Sequence, residues 1–335
     1  MTGFCTQQIN VLAVINVGAN VSVIKDGIAK IKIDSAKCNH CGKCIALCIH
    51  GAREYKDDTD DFLKSIADGE KYSLLVAPSF YILYPQLADQ ILGYLKANGI
   101  EKIYDVAFGS EISGWAHVKY LKDNENVPAK DKAFITHTCP AFINAVEMYQ
   151  PQLLSKIIPV QTPMMCTAIY ARKYLGDNNN FVFLGPCISK KDEIQTENTF
   201  GLVRYNCTFE HLVPEILKND ISSYSAESDL KNCSTGDLVP AIGEFKTYIM
   251  NFFPRNEFMM DFRGLEPSLY QFLNMSLKED GTAVQPFLAD VLACKNGCLE
   301  GPGAEKDVEQ SKIYSAYFRK FEKAKFETKI MSAEE

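Results

Sequence analysis

Four cysteines, Cys38, Cys41, Cys44 and Cys48, are separated by two, two and three residues. Three thiolates on one tight loop can each hold one iron of a cubane iron–sulfur cluster, with a fourth ligand closing the cage. Zinc is the plainer alternative, but structural zinc sites usually join two separated ligand pairs, and this run is unbroken. The other cysteines are dispersed: Cys5, Cys139, Cys166, Cys187, Cys207 and Cys233 stand singly, and Cys294 and Cys298 form a pair. Twelve cysteines without a basic signal-peptide start read as metal or redox chemistry sooner than as disulfides. The layout implies a small iron–sulfur module in front of a larger domain whose ligands meet only in the fold.

The elements that position these residues must come from a chain of 335 residues, enough for roughly two domains of about 150 residues each. Its 47% hydrophobic and 23% charged content is that of a globular protein and excludes disordered, collagenous or coiled-coil architectures. A net charge of −7 has the wrong sign for binding phosphate backbones, so nucleic acid is not an expected partner. No apolar run approaches the ~20 residues that cross a bilayer. The expectation is a cytoplasmic protein with no membrane partner.

Residues 20–34 alternate apolar and polar side chains around Lys25-Asp26-Gly27, the pattern of a hairpin with a tight turn. The acidic stretch 56–61 reads as a solvated linker or helix start. Beyond it, continuous apolar runs at 72–77, 103–108, 132–135, 157–160, 181–184 and 202–205 fit strands buried on both faces. Helix-period segments at 85–98, 115–123, 141–149, 164–175 and 209–218 lie between them. Such alternation predicts an α/β domain with a mostly parallel sheet, whose ligands collect beyond the carboxyl ends of strands. Residues 222–237 read as a polar surface loop carrying Cys233. Ile313, Tyr317 and Phe321 predict an amphipathic helix in the tail.

The run Cys38 to Cys48 has the spacing of bacterial ferredoxins. In two-cluster ferredoxins the fourth cysteine of each run serves the other cluster. The same offsets from Cys5 give Gln8, Val11 and Ile15, an eroded first copy of the run. This predicts one surviving 4Fe-4S cluster on Cys38, Cys41 and Cys44, either closed by Cys48 or left with an open iron corner.

Three further segments, THTCPAF at 136–142, GPCISKKDE at 185–193 and DVLACKNGCLEGPG at 290–303, resemble in order and spacing the signatures of the iron-only (FeFe) hydrogenases. The resemblance runs from about Cys38 to Gly303 and includes Pro163 and Arg263-Gly264-Leu265. It implies a two-lobed catalytic domain with mostly parallel sheets flanked by helices, at 70–325, preceded by a small α+β ferredoxin-like domain at 1–60. It also implies an H-cluster, a 4Fe-4S cubane joined to a two-iron unit carrying carbonyl, cyanide and azadithiolate. By resemblance Cys139, Cys187, Cys294 and Cys298 are the metal ligands, with Cys298 bridging the two parts. Lys190 matches the lysine that hydrogen-bonds a cyanide, and Glu193 the glutamate that follows it. Pro163, Gly185, Pro186 and Leu292 fall at cofactor-contacting positions, and glycines 297, 301 and 303 are expected to let backbone approach the cluster. Cys166, Cys207 and Cys233 read as ordinary small hydrophobes, and Lys191 as solvated.

The chain also departs from the family. Thr138 stands where an earlier cysteine passes protons, and a hydroxyl does not ionise near neutral pH as a thiol can. His117 and Tyr120 stand in place of pathway glutamates, Ile158 replaces a serine, and Gly185 and Leu292 replace flanking methionines. His117 and His137 are either an alternative relay, since imidazole titrates in the useful range, or hydrogen-bonded structural residues. These departures resemble divergent branches of the family, some thought to sense hydrogen. The leading expectation is a slow hydrogenase acting on hydrogen and protons, with ferredoxin or another redox protein as electron partner and maturation proteins supplying the two-iron unit. The alternatives are a hydrogen-sensing module signalling to a partner, and an iron–sulfur carrier or assembly protein without the two-iron unit.

Overall fold

The computed structural model describes residues 18–25, 28–48, 51–124, 134–230, 244–250, 252–253, 259–265 and 288–305, with residues 311, 315 and 318. The expectations for Cys5 and the eroded first run, for Cys233, and for Ile313, Tyr317 and Phe321 lie outside the described residues.

The hairpin forms as expected: β1 (Asn20–Lys25) and β2 (Ile28–Ile33) pair antiparallel, from Asn20 opposite Ile33 to Lys25 opposite Ile28. A short 3-10 turn leads into the cysteine loop, whose last turn is the helix α1 (Lys43–Ala46). The acidic stretch does start a helix, α2 (Thr59–Ala67), but it is not a solvated linker. Asp57 and Asp58 are buried, and their carboxylates accept hydrogen bonds from the Thr208 and Asn206 backbone amides at 2.7 and 3.0 Å. Buried carboxylates are retained where they satisfy backbone donors, and here they staple the front segment to the larger domain.

The remaining strands form two parallel sheets. β3 (Tyr72–Val76), β4 (Ile100–Asp105), β6 (Asn180–Gly185) and β7 (Val203–Thr208) are ordered β4-β3-β6-β7. β5 (Phe134–Ile135), β8 (Met259–Arg263) and β9 (Leu288–Leu292) are ordered β5-β9-β8. Every residue of β3 and β9 is buried, as parallel strands covered on both faces must be. Burying each of Leu74, Leu75, Phe181 and Leu288 contributes about 1.5–3 kcal/mol.

The remaining described α-helices are α3 (Ser79–Leu83), α4 (Ala88–Ala97), α5 (Val106–Asp123), α6 (Pro140–Tyr149), α7 (Pro163–Tyr174), α8 (Lys190–Ile194), α9 (Phe209–Leu217) and α10 (Glu244–Met250). The apolar run at 103–108 proves to be half strand and half helix: β4 ends at Asp105, whose carboxylate accepts from the Ala107 amide at 2.9 Å and caps α5. The run at 157–160 is no strand. Pro159 removes a ladder donor, and only an isolated bridge between Ile135 and Ile157 forms.

Candidate metal centre

The carboxyl ends of both parallel sheets open on one cleft with about 680 Å³ of empty space. After β3 come Ala77, Pro78 and Ser79; after β6 come Pro186 and Cys187; after β5 comes Thr138; β9 supplies Asp290 and Leu292; and Cys298 and Lys190 complete that part of the wall. Cys139 N-caps α6, and its sulfur accepts the Ala293 amide at 3.4 Å. Cys187 feels the thiols of Cys139 and Cys298, while Cys294 feels Cys298, Cys187 and Cys139, so four cysteines far apart in sequence stand within electrostatic reach of one another.

Burial dominates their chemistry. It pushes the Cys187 thiol up to about 12 and the Cys298 thiol up to about 11, raises Cys139, and lifts Cys294 well above the ordinary thiol value. Lys190 works against this at Cys139, Cys187 and Cys298, and Arg263 at Cys298. Protein charges alone therefore leave these groups as thiols; a bound metal, which deprotonates a coordinating thiol outright, would supply the missing positive charge. Among the described residues no group of three or more His, Cys, Asp and Glu side chains closes around a single metal ion. A cubane, which each thiolate meets at a separate iron, needs no such closure.

Two cleft-lining hydroxyls point to a further occupant. Thr138 Oγ1 and Ser79 Oγ are buried without a hydrogen-bond partner. Buried hydroxyls are almost always partnered, and leaving one unpaired costs about 1–3 kcal/mol. A group bearing acceptors, as the cyanide and carbonyl ligands of a two-iron unit are, fits these positions in an otherwise apolar wall of Val106, Pro163, Met164, Phe183, Phe245 and Leu292.

The cleft brings together Pro163, Pro186, Leu292, Thr138, Lys190, Cys187 and Cys298. Gly185 is not part of its wall: a side chain there would collide with the Phe183 ring, and it is Phe183 that faces the cleft. Glu193 stands behind Lys190, with Lys190 Nζ to Glu193 Oε2 at 2.5 Å and both side chains about 10% exposed. Side chains at Gly301 and Gly303 would meet the Pro186 carbonyl and Thr208, so these residues let the last loop close on the β6 and β7 ends. Lys191 is not simply solvated: its Nζ lies 2.5 Å from Asp58 Oδ1. Cys166 and Cys207 are buried like small hydrophobes.

Sequence reasoning passed over Ser79 and the buried Asp290, which pairs with Arg263 at 3.3 Å and accepts from Thr136 Oγ1 at 3.0 Å. The position of Ser79 just past a buried strand was the available signal. Both histidines are held by hydrogen bonds. His117 is fully buried, and burial pulls its imidazole down to about 4. Its Nδ1 meets the Ser113 carbonyl at 2.7 Å, and its Nε2 accepts the His137 amide at 3.3 Å. His137 Nδ1 meets the Val160 carbonyl at 2.7 Å. Ile158 is fully buried, and Tyr120 packs against Phe134.

At the front, Cys41 and Cys44 feel Cys38, and burial pushes the Cys41 thiol up to about 11. Cys48 packs with Ala52 on Ile31. Gly42 has φ 73°, and a side chain there would run into the Pro302 ring, so only glycine lets this loop sit against the segment after Cys298. Cys41 also packs in one apolar cluster with Cys139 and Cys298, which puts the two cysteine groups side by side.

This arrangement belongs to a known class. The family described as iron-only hydrogenase large subunit, C-terminal domain, matches residues 71–245, and the chain is a member of that family. The match includes Cys139 and Cys187 and ends before Cys294 and Cys298. A 4Fe-4S binding domain matches residues 30–52, spanning the clustered cysteines. Among solved structures, a variant of FeFe-hydrogenase HydA1 from Chlamydomonas reinhardtii is similar with a TM-score of 0.61 and 13% identity, covering 78% of this chain and 88% of that one. A HydA structure describing stepwise H-cluster assembly and an apo variant of the Chlamydomonas HydA1 each give a TM-score of 0.60 at 13% identity, with the same shares covered. At such identity the likeness establishes the shared fold. Among the described residues, no helix is long and apolar enough to cross a membrane.

Proposed function

We propose that the protein is an FeFe hydrogenase that interconverts hydrogen with protons and electrons at an H-cluster held by Cys139, Cys187, Cys294 and Cys298. The observation that supports this reading is a largely apolar cleft lined by Cys187, Cys298, Lys190 and two unpartnered hydroxyls, with the buried thiols of Cys139 and Cys294 within electrostatic reach of those two cysteines. When bound, the cofactor supplies the hydrogen chemistry and the electron-accepting cubane. The chain's part is to orient it, keep water away and move charge. Lys190 presents an ammonium to the cleft, Ser79 and Thr138 offer hydroxyl donors, and the apolar wall excludes solvent. Cys38, Cys41 and Cys44, with Cys48 as the candidate fourth ligand, would hold a second 4Fe-4S cluster, which would supply electron exchange with a redox protein such as ferredoxin. The proposed division is a ferredoxin-like domain at 1–60 and an H-cluster domain at 70–325.

A second reading, a hydrogen-sensing module, is favoured by Thr138 in the proton-passing position and by a His117 that burial keeps neutral. An iron–sulfur carrier without the two-iron unit is the third. Loading the protein with a synthetic two-iron cofactor separates them. The hydrogenase reading predicts infrared bands of iron-bound carbonyl and cyanide together with steady hydrogen oxidation. Bands without turnover support the sensor, and no bands support the carrier.

A further inference from the structure

The cleft is not the only cavity at this end of the molecule. A second one, with about 950 Å³ of empty space, is lined by His137, Asn144, Glu147, Gln161, Glu193 and Thr196, among others. Its wall toward the cleft is thin. His137 and Thr162 line the second cavity, whereas their chain neighbours Thr138 and Pro163 line the cleft; Lys190 lines the cleft, whereas Glu193, one turn further along α8, lines the second cavity. Glu193 is the link between the two sides. Its Oε2 accepts from Lys190 Nζ and its Oε1 from Thr162 Oγ1, both at 2.5 Å, and Lys190 Nζ also reaches Thr162 Oγ1 at 3.4 Å. At the outer end, Glu147 and Thr196 are exposed. Ile143, Leu154, Ile157 and Ile158 share the wall with these polar side chains, and the space far exceeds the ~30 Å³ of one water molecule, so waters following His137, Asn144, Glu147 and Gln161 can reach Glu193 from solvent.

We propose that protons travel between solvent and the cleft through this second cavity, with Glu193 as the carboxylate that hands them across the wall. The inference rests on the hydrogenase reading and assigns the proton route that Thr138 and His117 do not provide. For an outward proton, Lys190 passes one N–H proton to the Glu193 carboxylate and is recharged by the proton released in the cleft. Glu193 then gives its proton to water in the second cavity. Lys190 and Glu193 end as they began, and one proton has moved from cleft to solvent. The inward direction is the reverse. The titratable groups electrostatically linked around this route are Lys190, Glu193, His137 and Glu147.

The test uses the cofactor-loaded protein and follows the iron-bound carbonyl bands by time-resolved infrared after a pH jump, alongside hydrogen oxidation. Glu193→Gln keeps the shape but cannot carry the proton. Asn198→Trp, on the exposed rim of the second cavity, narrows the route and leaves the Lys190–Glu193 pair in place, so it decides the matter if Glu193→Gln folds poorly. The proposal predicts that each variant slows the band response at least about tenfold, lowers kcat with little change in KM, and retains the band positions, and that Glu193→Asp recovers part of the rate. Band responses as fast as wild type in both variants overturn the route while leaving the hydrogenase reading intact. Absence of the bands from the wild-type protein overturns the hydrogenase reading and the route with it.

Discussion

Lys190 and Glu193 form an ion pair at 2.5 Å in which each partner faces a different cavity. Breaking a buried pair by removing one charge strands the other and costs about 3–5 kcal/mol. Lys190→Met is therefore expected to lower the urea midpoint strongly, and Lys190→Met combined with Glu193→Gln to recover much of that loss. Equilibrium unfolding of the single and double variants measures the coupling. A double variant no more stable than Lys190→Met would show that the pair does not act as a unit.

The staple between the front segment and the α/β domain should respond to pH. Asp57 Oδ1 lies 3.0 Å from His211 Nδ1, and the Tyr55 ring stacks on the imidazole with centroids 4.5 Å apart. The hydrogen bond to Asp57 raises His211 above its ordinary value of 6.5 against the opposing effect of burial. Burial would raise Asp57, but hydrogen bonds from His211, Thr208 and Thr59 outweigh it and hold the carboxyl below 3.8. A raised histidine stabilises fully below its unfolded value and loses that contribution as pH climbs through the folded one. The lowered aspartate contributes above its unfolded value and loses that as pH falls through its folded one. The wild type should thus lose stability as pH climbs from below 6.5 through the raised value of His211, and His211→Gln should lose markedly less over the same rise. Thermal melting of both proteins across the range is the check.

Gly42 should be intolerant of substitution. Gly42→Ala places a methyl against the Pro302 ring at a backbone angle that alanine disfavours, at a cost of about 1–3 kcal/mol. The expected result is a displaced front loop: iron content falls by less than half, while reduction of the cleft cluster by an external electron donor slows severalfold. Unchanged reduction kinetics would separate this loop from electron entry.

Thr138 tests the missing relay. Its hydroxyl is buried and unpartnered on the cleft wall, so Thr138→Cys should fold normally and place an ionisable group there. Hydrogen oxidation is predicted to rise, up to the order of 10²-fold that a positioned acid–base group supplies, and its pH profile to acquire a new limb. No change in rate or profile would mean that the rest of that pathway, where Ile158 and a buried His117 stand, already blocks it.

Much of this was legible in the chain itself. Continuous apolar runs revealed β3 and β6, because strands covered on both faces need no polar alternation. The start of α5 was hidden because Val106 and Ala107 are as buried as the strand before them. β9 escaped notice because Asp290, paired with Arg263, interrupts an otherwise apolar strand. The cysteines stood out by type and spacing, whereas Ser79 was a common residue marked only by its place after β3. That Glu193 faces away from the cleft could not be read from sequence, because it depends on which side of α8 each cavity lies.

The central claim is best tested by a crystal structure of the anaerobically prepared, cofactor-loaded protein with anomalous scattering recorded at the iron edge. The account predicts iron density of a cubane bonded to Cys139, Cys187, Cys294 and Cys298, and a separate two-iron density beside Cys298 within reach of Lys190. Iron confined to the loop of Cys38, Cys41 and Cys44, with the cleft sulfurs bearing none, would contradict it.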